Sequence, residues 1–94
     1  MPVKPARTLQ LYSRSYCHLC EDMARALEPL QREFGFSVEV IDVDSDPALE
    51  SRYGEWVPAL TAGTEQLCHY FLDEARVRTY FARGGASSGQ HTPR

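Results

Sequence analysis

The feature that most constrains the fold is a change of apolar periodicity along the first half of the chain. Residues 8–13 place two leucines on one face at the two-residue spacing of a strand. Residues 37–43 form a run of β-branched residues that is typical of a buried strand. Between these segments, an apolar stripe repeats at the helical steps of three and four residues: Leu19, Met23, Leu27, Leu30 and Phe34. Two strands joined by a helix should lie parallel, so this half predicts a β-α-β unit.

The second half of the chain predicts a short helix, a hairpin and a final helix. Asp46 should cap the short helix with Pro47 at its first position, and the helix should end near Gly54. Gly63-Thr64-Glu65 should form a three-residue turn between two strands, and Asp73 should cap the last helix. The order β-α-β-α-β-β-α predicts an α/β fold, with a four-stranded mixed sheet flanked by helices on both faces.

Two residues set the limits of the first predicted helix. Pro29 lies inside the apolar stripe and should kink the helix or shift its start, because its ring opposes the preceding turn. Gly35 should end the helix, since it takes the left-handed conformation that closes a helix without steric cost.

Length and composition favour one domain. The chain has 94 residues, of which 43% are apolar, as in an ordinary globular domain. We expect residues 1–7 to be an N-terminal arm, residues 8–83 the domain and residues 84–94, which are rich in Gly and Ser, a flexible tail. The net charge of −3 argues against a nucleic-acid partner. No apolar run approaches the roughly 20 residues that span a bilayer, and the first residues lack a secretory signal, so we expect a cytoplasmic monomer with no membrane partner.

We expect the most reactive side chains of the chain to be the two thiols of Cys17-His18-Leu19-Cys20, at the junction of the first predicted strand and helix. A sulfur at a helix N-terminus meets unpaired backbone N–H groups and the positive end of the helix dipole, and both favour a thiolate. In such motifs the thiol pKa falls from about 8.5 to roughly 3.5–7.5. Cys17, at the cap, should therefore attack a disulfide. Cys20, one turn further and more buried, should resolve the mixed disulfide that results.

Two other interpretations of the cysteine pair stay open. One is half of a metal site with His18, Cys68 or His69 as further ligands, although Cys68 and His69 are adjacent rather than spaced like a second zinc-binding pair. The other is a pair of ordinary buried thiols. The third cysteine, Cys68, falls on a predicted strand, where we expect a small apolar core residue. An odd cysteine count in a cytoplasmic protein argues against a structural disulfide framework.

The segment Tyr-Ser-Arg-Ser-Tyr-Cys-His-Leu-Cys, residues 12–20, resembles the active-site segment of glutaredoxins. In that family a basic residue stands three positions before the nucleophilic cysteine, and the motif is Cys-Pro-Tyr-Cys. Arg14 stands at the basic position, and Trp56-Val57-Pro58 is similar to the family's Thr-Val-Pro segment before the third strand. The resemblance runs from about Thr8 to Phe81, is closest to short bacterial glutaredoxin-like proteins, and implies a thioredoxin-like fold.

The resemblance also implies an activity and a set of site residues. The activity is thiol–disulfide oxidoreduction on protein disulfides or glutathione mixed disulfides, with no bound cofactor and with glutathione as the candidate co-substrate. A cis peptide between Val57 and Pro58 would face the cysteines and pair its backbone with an extended peptide or glutathione. Taken alone, Pro58 fits a strand-initiating proline equally well. Arg14 would contact a substrate carboxylate, Tyr16 would line the groove and His18 would tune the Cys17 thiolate.

Three departures from the family pattern separate this chain from well-characterised glutaredoxins. His18-Leu19 replaces Pro-Tyr between the cysteines, Trp56 replaces Thr, and the family's glycine pair at the glutathione site is replaced by Cys68-His69. Two other functions are therefore carried as alternatives. One is an iron–sulfur or metal carrier with Cys17 as ligand, and the other is a thioredoxin-fold binding module without turnover.

Overall fold

A computed structural model describes residues 8–83, which form four strands and three α-helices in the predicted order. The predicted N-terminal arm and C-terminal tail lie outside the described residues. A single turn of 3-10 helix, Val43–Ser45, precedes α2. The elements are β1 Thr8–Ser13, α1 His18–Phe34, β2 Ser37–Asp42, α2 Pro47–Tyr53, β3 Ala59–Ala62, β4 Glu65–His69 and α3 Glu74–Ala82.

The strands form one mixed sheet in the order β2-β1-β3-β4. β1 is parallel to β2, and β3 is antiparallel to β4, which confirms the two predicted pairings and the mixed sheet. The structure adds that β1 pairs antiparallel with β3. Ser13 lies opposite Asp42, Tyr12 opposite Ala59, and Ala59 opposite His69. The ends of β1, β2 and β4 and the start of β3 therefore meet at one edge of the sheet. We call it the cysteine edge, because Cys17 follows β1 there.

The main core lies between one face of the sheet and the helices α1 and α3. Met23, Leu27 and Leu30 of the apolar stripe are buried in this core, because helical residues three and four apart share a face. Leu19, which was predicted to belong to the same stripe, is instead 37% exposed on the first turn of α1. Tyr12 alternates with Leu11 and so points to the opposite face, where its ring stacks on Tyr53 of α2 at a centroid distance of 4.0 Å. Helices thus cover both faces, as predicted. The core includes Leu9, Leu11, Met23, Leu27, Leu30, Leu60, Val77 and Tyr80.

The predicted helix ends are confirmed at three positions. Gly35 takes a left-handed φ of 74° and donates its N–H to the Gln31 carbonyl at 2.8 Å, which ends α1. Asp46 and Asp73 cap α2 and α3 through their side-chain oxygens. The helix α1 begins at His18 and continues through Pro29, so the expected shift of its start is wrong.

The strand β2 differs from its prediction. The β-branched run of residues 37–43 suggested a buried strand, but β2 is an edge strand with no buried residue, and Val40 is 60% exposed. Val43 is fully buried, but in the 3-10 turn that follows β2. β-Branched residues fit a strand at the edge of a sheet as well as one at its centre. The composition of residues 37–43 therefore does not determine how much of the strand is covered by other elements.

The hairpin loop is shorter than predicted. Glu65 pairs with Ala62 and belongs to β4, so the connection is the two residues Gly63 and Thr64. Gly63 has a φ of 65°, a left-handed conformation that glycine adopts without penalty. The register shifts between Leu60 and Thr61. That irregularity accommodates one additional residue on β4.

Candidate active site

Cys17 is the N-cap of α1, and its sulfur takes the place of the side-chain oxygen that accepts a backbone N–H in most helix caps. The Sγ of Cys17 accepts the backbone N–H of Cys20 at 3.1 Å, which satisfies one of the donors left free at the helix start. The two sulfurs are joined in a disulfide, with Cα atoms 5.2 Å apart. The motif therefore holds both sulfurs within one helical turn, as its spacing predicts.

The two cysteines differ in burial in the expected sense. Cys20 is buried and only 5% exposed, while Cys17 is partly exposed. Exposure of the first sulfur allows an external disulfide to approach it, and burial of the second protects it from the same partner. The arrangement suits attack at Cys17 and resolution by Cys20.

The residues on either side of Cys17 in the sequence have exposed side chains. Tyr16 has a left-handed φ of 61° and its side chain is fully exposed. A positive φ in a residue other than glycine is uncommon and turns the side chain away from the direction it would take in a strand or helix. His18 and Leu19, between the two cysteines, are also exposed. The sequence did not predict that Tyr16 would project into solvent.

The peptide between Val57 and Pro58 is cis, as the family resemblance implied. Pro58 is buried directly before β3, so this peptide lies at the cysteine edge with the motif. The Pro58 carbonyl accepts the N–H of Tyr70 at 2.7 Å. The Tyr70 hydroxyl donates to the Glu55 carbonyl at 2.7 Å. Tyr70 thus holds residues 55–58, here called the proline loop, through two hydrogen bonds. The sequence analysis did not assign this role to Tyr70.

Aromatic rings gather beside the proline loop. Trp56 meets the imidazole of His69 edge to face at 5.2 Å and lies 6.1 Å from the ring of Tyr70. Trp56 is 44% exposed and Phe71 is 69% exposed. Exposed apolar groups of this size often mark contact surfaces.

Arg14 does not have a free guanidinium. Its Nη2 donates to the Glu50 carboxylate at 3.0 Å and to the Gly54 carbonyl at 3.4 Å, and it lies 3.8 Å from the carboxylate of Asp44. The Nε of Arg14 is buried without a hydrogen-bond partner. The sequence analysis assigned Arg14 to a substrate carboxylate and missed these three partners, because they lie far along the chain.

A cleft of about 220 Å³ opens beside the cysteine pair. The lining brings together Cys17, Cys20, Arg14 and Tyr16 with Glu21 of α1 and Val40 of β2. Val57 and Pro58 are not among the residues that line it, although they share the cysteine edge. The predicted site residues therefore fall into two neighbouring groups, one around the motif and one around the cis peptide.

Comparison with known proteins identifies the family of this chain. Residues 8–82 match the glutaredoxin-like domain family (DUF836). The chain belongs to the glutaredoxin-like domain family. The matched segment contains every described strand and helix and both cysteines of the motif.

Three relatives of this glutaredoxin-like chain show the extent of the likeness. An NMR structure of a Nitrosomonas europaea protein is 40% identical, with a TM-score of 0.73 over 85% of this chain and 95% of the other. An X-ray structure of an X. campestris protein is 33% identical, with a TM-score of 0.63 over 80% and 96%. An uncharacterized protein of Mycobacterium tuberculosis is 30% identical over 80% and 82%. Thioredoxin 1 of Thermosipho africanus, 16% identical with a TM-score of 0.56 over 84% and 99%, shows that the fold is thioredoxin-like.

Cys68 does not line the cleft beside the two motif cysteines in this glutaredoxin-like domain. It is a free thiol, partly buried, and it packs against the main core. Burial raises the pKa of the Cys68 thiol, which keeps the sulfur protonated, although a backbone N–H of Asp73 acts in the opposite direction. These properties agree with the apolar core role expected of Cys68.

The described residues show neither a metal-binding cluster nor a membrane-spanning helix. Within residues 8–83, no three side chains of His, Cys, Asp or Glu gather in a way that would hold a metal ion. Among the same residues, no helix is both long enough and apolar enough to cross a membrane.

Proposed function

We propose that this chain is a thiol–disulfide oxidoreductase in which Cys17 is the nucleophile and Cys20 the resolving thiol. The observation that carries the proposal is the position of Cys17 at the N-cap of α1. There its sulfur accepts the N–H of Cys20 and stays accessible, while Cys20 is buried. Hydrogen bonds and the helix dipole both favour the ionised sulfur.

The reaction proceeds in two exchanges. In the reduced protein, the Cys17 thiolate attacks one sulfur of a substrate disulfide, forms a mixed disulfide and releases the other sulfur as a thiolate, which takes up a proton. The Cys20 thiol then loses its proton and attacks the Cys17 sulfur, which releases the second substrate thiol. The substrate disulfide gains two electrons, and the chain returns to the disulfide form described here. A thiol reductant restores the two thiols, and no bound cofactor takes part.

We assign the exposed groups at the cysteine edge to substrate contact. Tyr16 and His18 flank the accessible sulfur, so a partner that reaches Cys17 must pass them. The cis peptide of Val57 and Pro58 lies at the same edge and supports the assignment of its backbone to an extended substrate segment. The proposed substrates are protein disulfides or glutathione mixed disulfides, and the proposed setting is a monomer in the cytoplasm.

The test is turnover of a disulfide-linked peptide in the presence of excess dithiothreitol. We expect Cys17→Ser to abolish catalysis. Cys20→Ser, mixed with the peptide in the absence of dithiothreitol, should accumulate a peptide mixed disulfide at Cys17. Cys68→Ser serves as the matched control and should retain nearly full activity, because Cys68 packs against the core and does not line the cleft beside Cys17.

Two outcomes would contradict the proposal. Full activity of Cys17→Ser would remove the nucleophile from its assigned role. A purified wild-type protein that carries iron and visible absorbance and shows no turnover would instead favour the carrier function with Cys17 as a ligand.

A further inference from the structure

The starting observation is that the cation beside Cys17 is already paired within the chain. Arg14 lines the same cleft as Cys17, and its guanidinium bonds to Glu50 at 3.0 Å with Asp44 at 3.8 Å. The contacts with Glu50, Asp44 and the Gly54 carbonyl are all made by Nη2; of the other two guanidinium nitrogens, Nε is buried without a hydrogen-bond partner. An incoming carboxylate would therefore meet a guanidinium whose positive charge is already offset by two carboxylates of the fold.

The fold makes room for this pairing. Gly54 follows α2 directly, and a Cβ atom at this position would collide with the Glu50 carboxylate. The absence of a side chain at Gly54 lets Glu50 turn toward Arg14, and the Gly54 carbonyl accepts from the same guanidinium. The pairing is thus supported by a backbone position as well as by two carboxylates.

The charges around the cleft sum to a negative value. Arg14 contributes one positive charge, and Glu50 and Asp44 at its guanidinium contribute two negative charges. Glu21, on the first turn of α1, lines the cleft and adds a third. The balance of +1 and −3 is −2, so the cleft beside the sulfur attracts cations and repels anions.

We propose that this cleft selects disulfide partners that carry cationic groups next to their sulfurs, and that it disfavours anionic partners such as oxidised glutathione. The inference rests on the proposed function of Cys17 as nucleophile, and it names the substrate class as disulfides flanked by basic side chains. Exposed ion pairs contribute little to folding stability, but the charges stay near the cleft whether or not each pair is fully formed.

The experiment compares three small disulfides in a full-length chain carrying Cys20→Ser and Cys68→Ser, where Cys17 is the single thiol. Cystamine is cationic, oxidised glutathione is anionic and hydroxyethyl disulfide is neutral. Formation of the mixed disulfide is followed by intact mass. Each rate is divided by the rate of dithiothreitol with the same disulfide, which removes differences in leaving-group reactivity. We expect cystamine to exceed oxidised glutathione by about three- to tenfold in this ratio, the low end of electrostatic steering.

Two substitutions test whether the named carboxylates cause the preference. Glu50→Gln in the same background should reduce the preference by about half or more through faster reaction with oxidised glutathione, with the rate for hydroxyethyl disulfide unchanged. Glu28→Gln is the matched control, because it removes the same charge about 16 Å along α1 from Cys17. It should leave the preference intact. At about 1 M salt, where the Debye length is about 3 Å, the preference should largely disappear.

The outcomes separate the two proposals. Reaction with all three disulfides without a cationic preference, or with one that Glu50→Gln leaves in place, overturns the selectivity but not the oxidoreductase. Failure of Cys17 to react with any of the three overturns the proposed function, and the selectivity falls with it.

Discussion

At the scale of single residues, Cys17 and Cys68 show how position sets the properties of a thiol. Cys17 caps a helix and accepts a backbone N–H, whereas Cys68 lies on β4 against the core. Burial raises the pKa of Cys68, so the thiolate that reacts with electrophiles is scarce there at neutral pH.

This contrast predicts selective alkylation of the reduced protein. At pH 7 we expect iodoacetamide to modify Cys17 at least about tenfold faster than Cys68, as measured by peptide mass after quenching. Modification of Cys68 should become fast only at a pH above the ordinary pKa of a thiol, because burial raises the pKa of Cys68. Equal rates at the two cysteines at pH 7 would contradict the assignment of Cys17 as the activated sulfur.

Tyr70 supports the proline loop through one hydroxyl bond that a conservative substitution removes. Tyr70→Phe deletes the bond to the Glu55 carbonyl and should lower the free energy of unfolding by about 0.5–1.5 kcal/mol. Trp56, which is the single tryptophan of the chain, lies beside Tyr70 and should report a change in fluorescence. Tyr16→Phe is the control, since it removes a hydroxyl from a fully exposed ring. A change of the same size in both variants would argue against a specific role for Tyr70.

At the scale of elements, Arg78 connects two helices that pack on the same face of the sheet. Its guanidinium on α3 donates to both carboxylate oxygens of Glu33 on α1, at 2.8 and 2.9 Å, and to Glu74 on its own helix at 2.9 Å. A planar guanidinium matches a carboxylate in this two-bond geometry. These bonds lower the pKa of the Glu33 carboxyl.

The lowered pKa predicts a particular pH dependence. A carboxyl whose pKa falls on folding adds stability above its unfolded pKa, near the ordinary value of 4.5, and loses it as the pH falls through the folded pKa. Wild-type and Glu33→Gln proteins should therefore differ in stability at pH 7 and converge below about pH 4. Urea unfolding at several pH values measures this.

A control and a contrary outcome complete this test. Asp22→Asn removes the local pair of Asp22 with Arg25 within α1. It should change stability less at pH 7 than Glu33→Gln, because it joins no second helix. A difference between wild-type and Glu33→Gln that is constant from pH 7 to pH 3 would show that ionisation of Glu33 is not its cause.

At the scale of the whole molecule, one apolar layer between the sheet and two helices holds the domain together. Leu27→Ala removes a fully buried side chain from this layer and should cost about 2–5 kcal/mol in unfolding free energy. Leu19→Ala is the matched control on the same helix, because Leu19 is 37% exposed and outside the main core. It should cost less than about 1 kcal/mol. Equal costs would mean that α1 is packed differently from the structure described.

The sequence predicted those parts of the fold that depend on local periodicity and capping. The alternation in β1, the stripe of α1 and the caps at Asp46, Asp73 and Gly35 are each decided by neighbours within a few positions. The placement of β2 at an edge depends on which strands pair, and a β-branched run is compatible with either place. The predicted hairpin loop was one residue longer than the observed loop, because Glu65 pairs with Ala62 and belongs to β4. The register that sets this pairing depends on both strands together.

The candidate site was predicted in the same uneven way. The cysteine pair and its helix are adjacent in the sequence, so their relation could be inferred. The partners of Arg14 could not be, since Glu50 is 36 positions away and meets Arg14 only after β2 and α2 are in place. Tyr70 was overlooked for the same reason, because its contact with Glu55 crosses a hairpin.

The location of Glu50 on α2 has a consequence for dynamics. Among the described helices, α2 is short and buries none of its residues, and its contacts with the rest of the domain include the stack of Tyr53 on Tyr12 and the pair of Glu50 with Arg14. Segments with few buried apolar contacts open locally at a free energy well below that of global unfolding. Amide hydrogens of α2 should therefore exchange with solvent long before those of α1. In each such opening the Arg14 guanidinium is released from Glu50 while both cysteines keep their positions on α1. The pairing of Arg14 with Glu50 thus forms and breaks on its own timescale, while the helix that carries the sulfur stays intact.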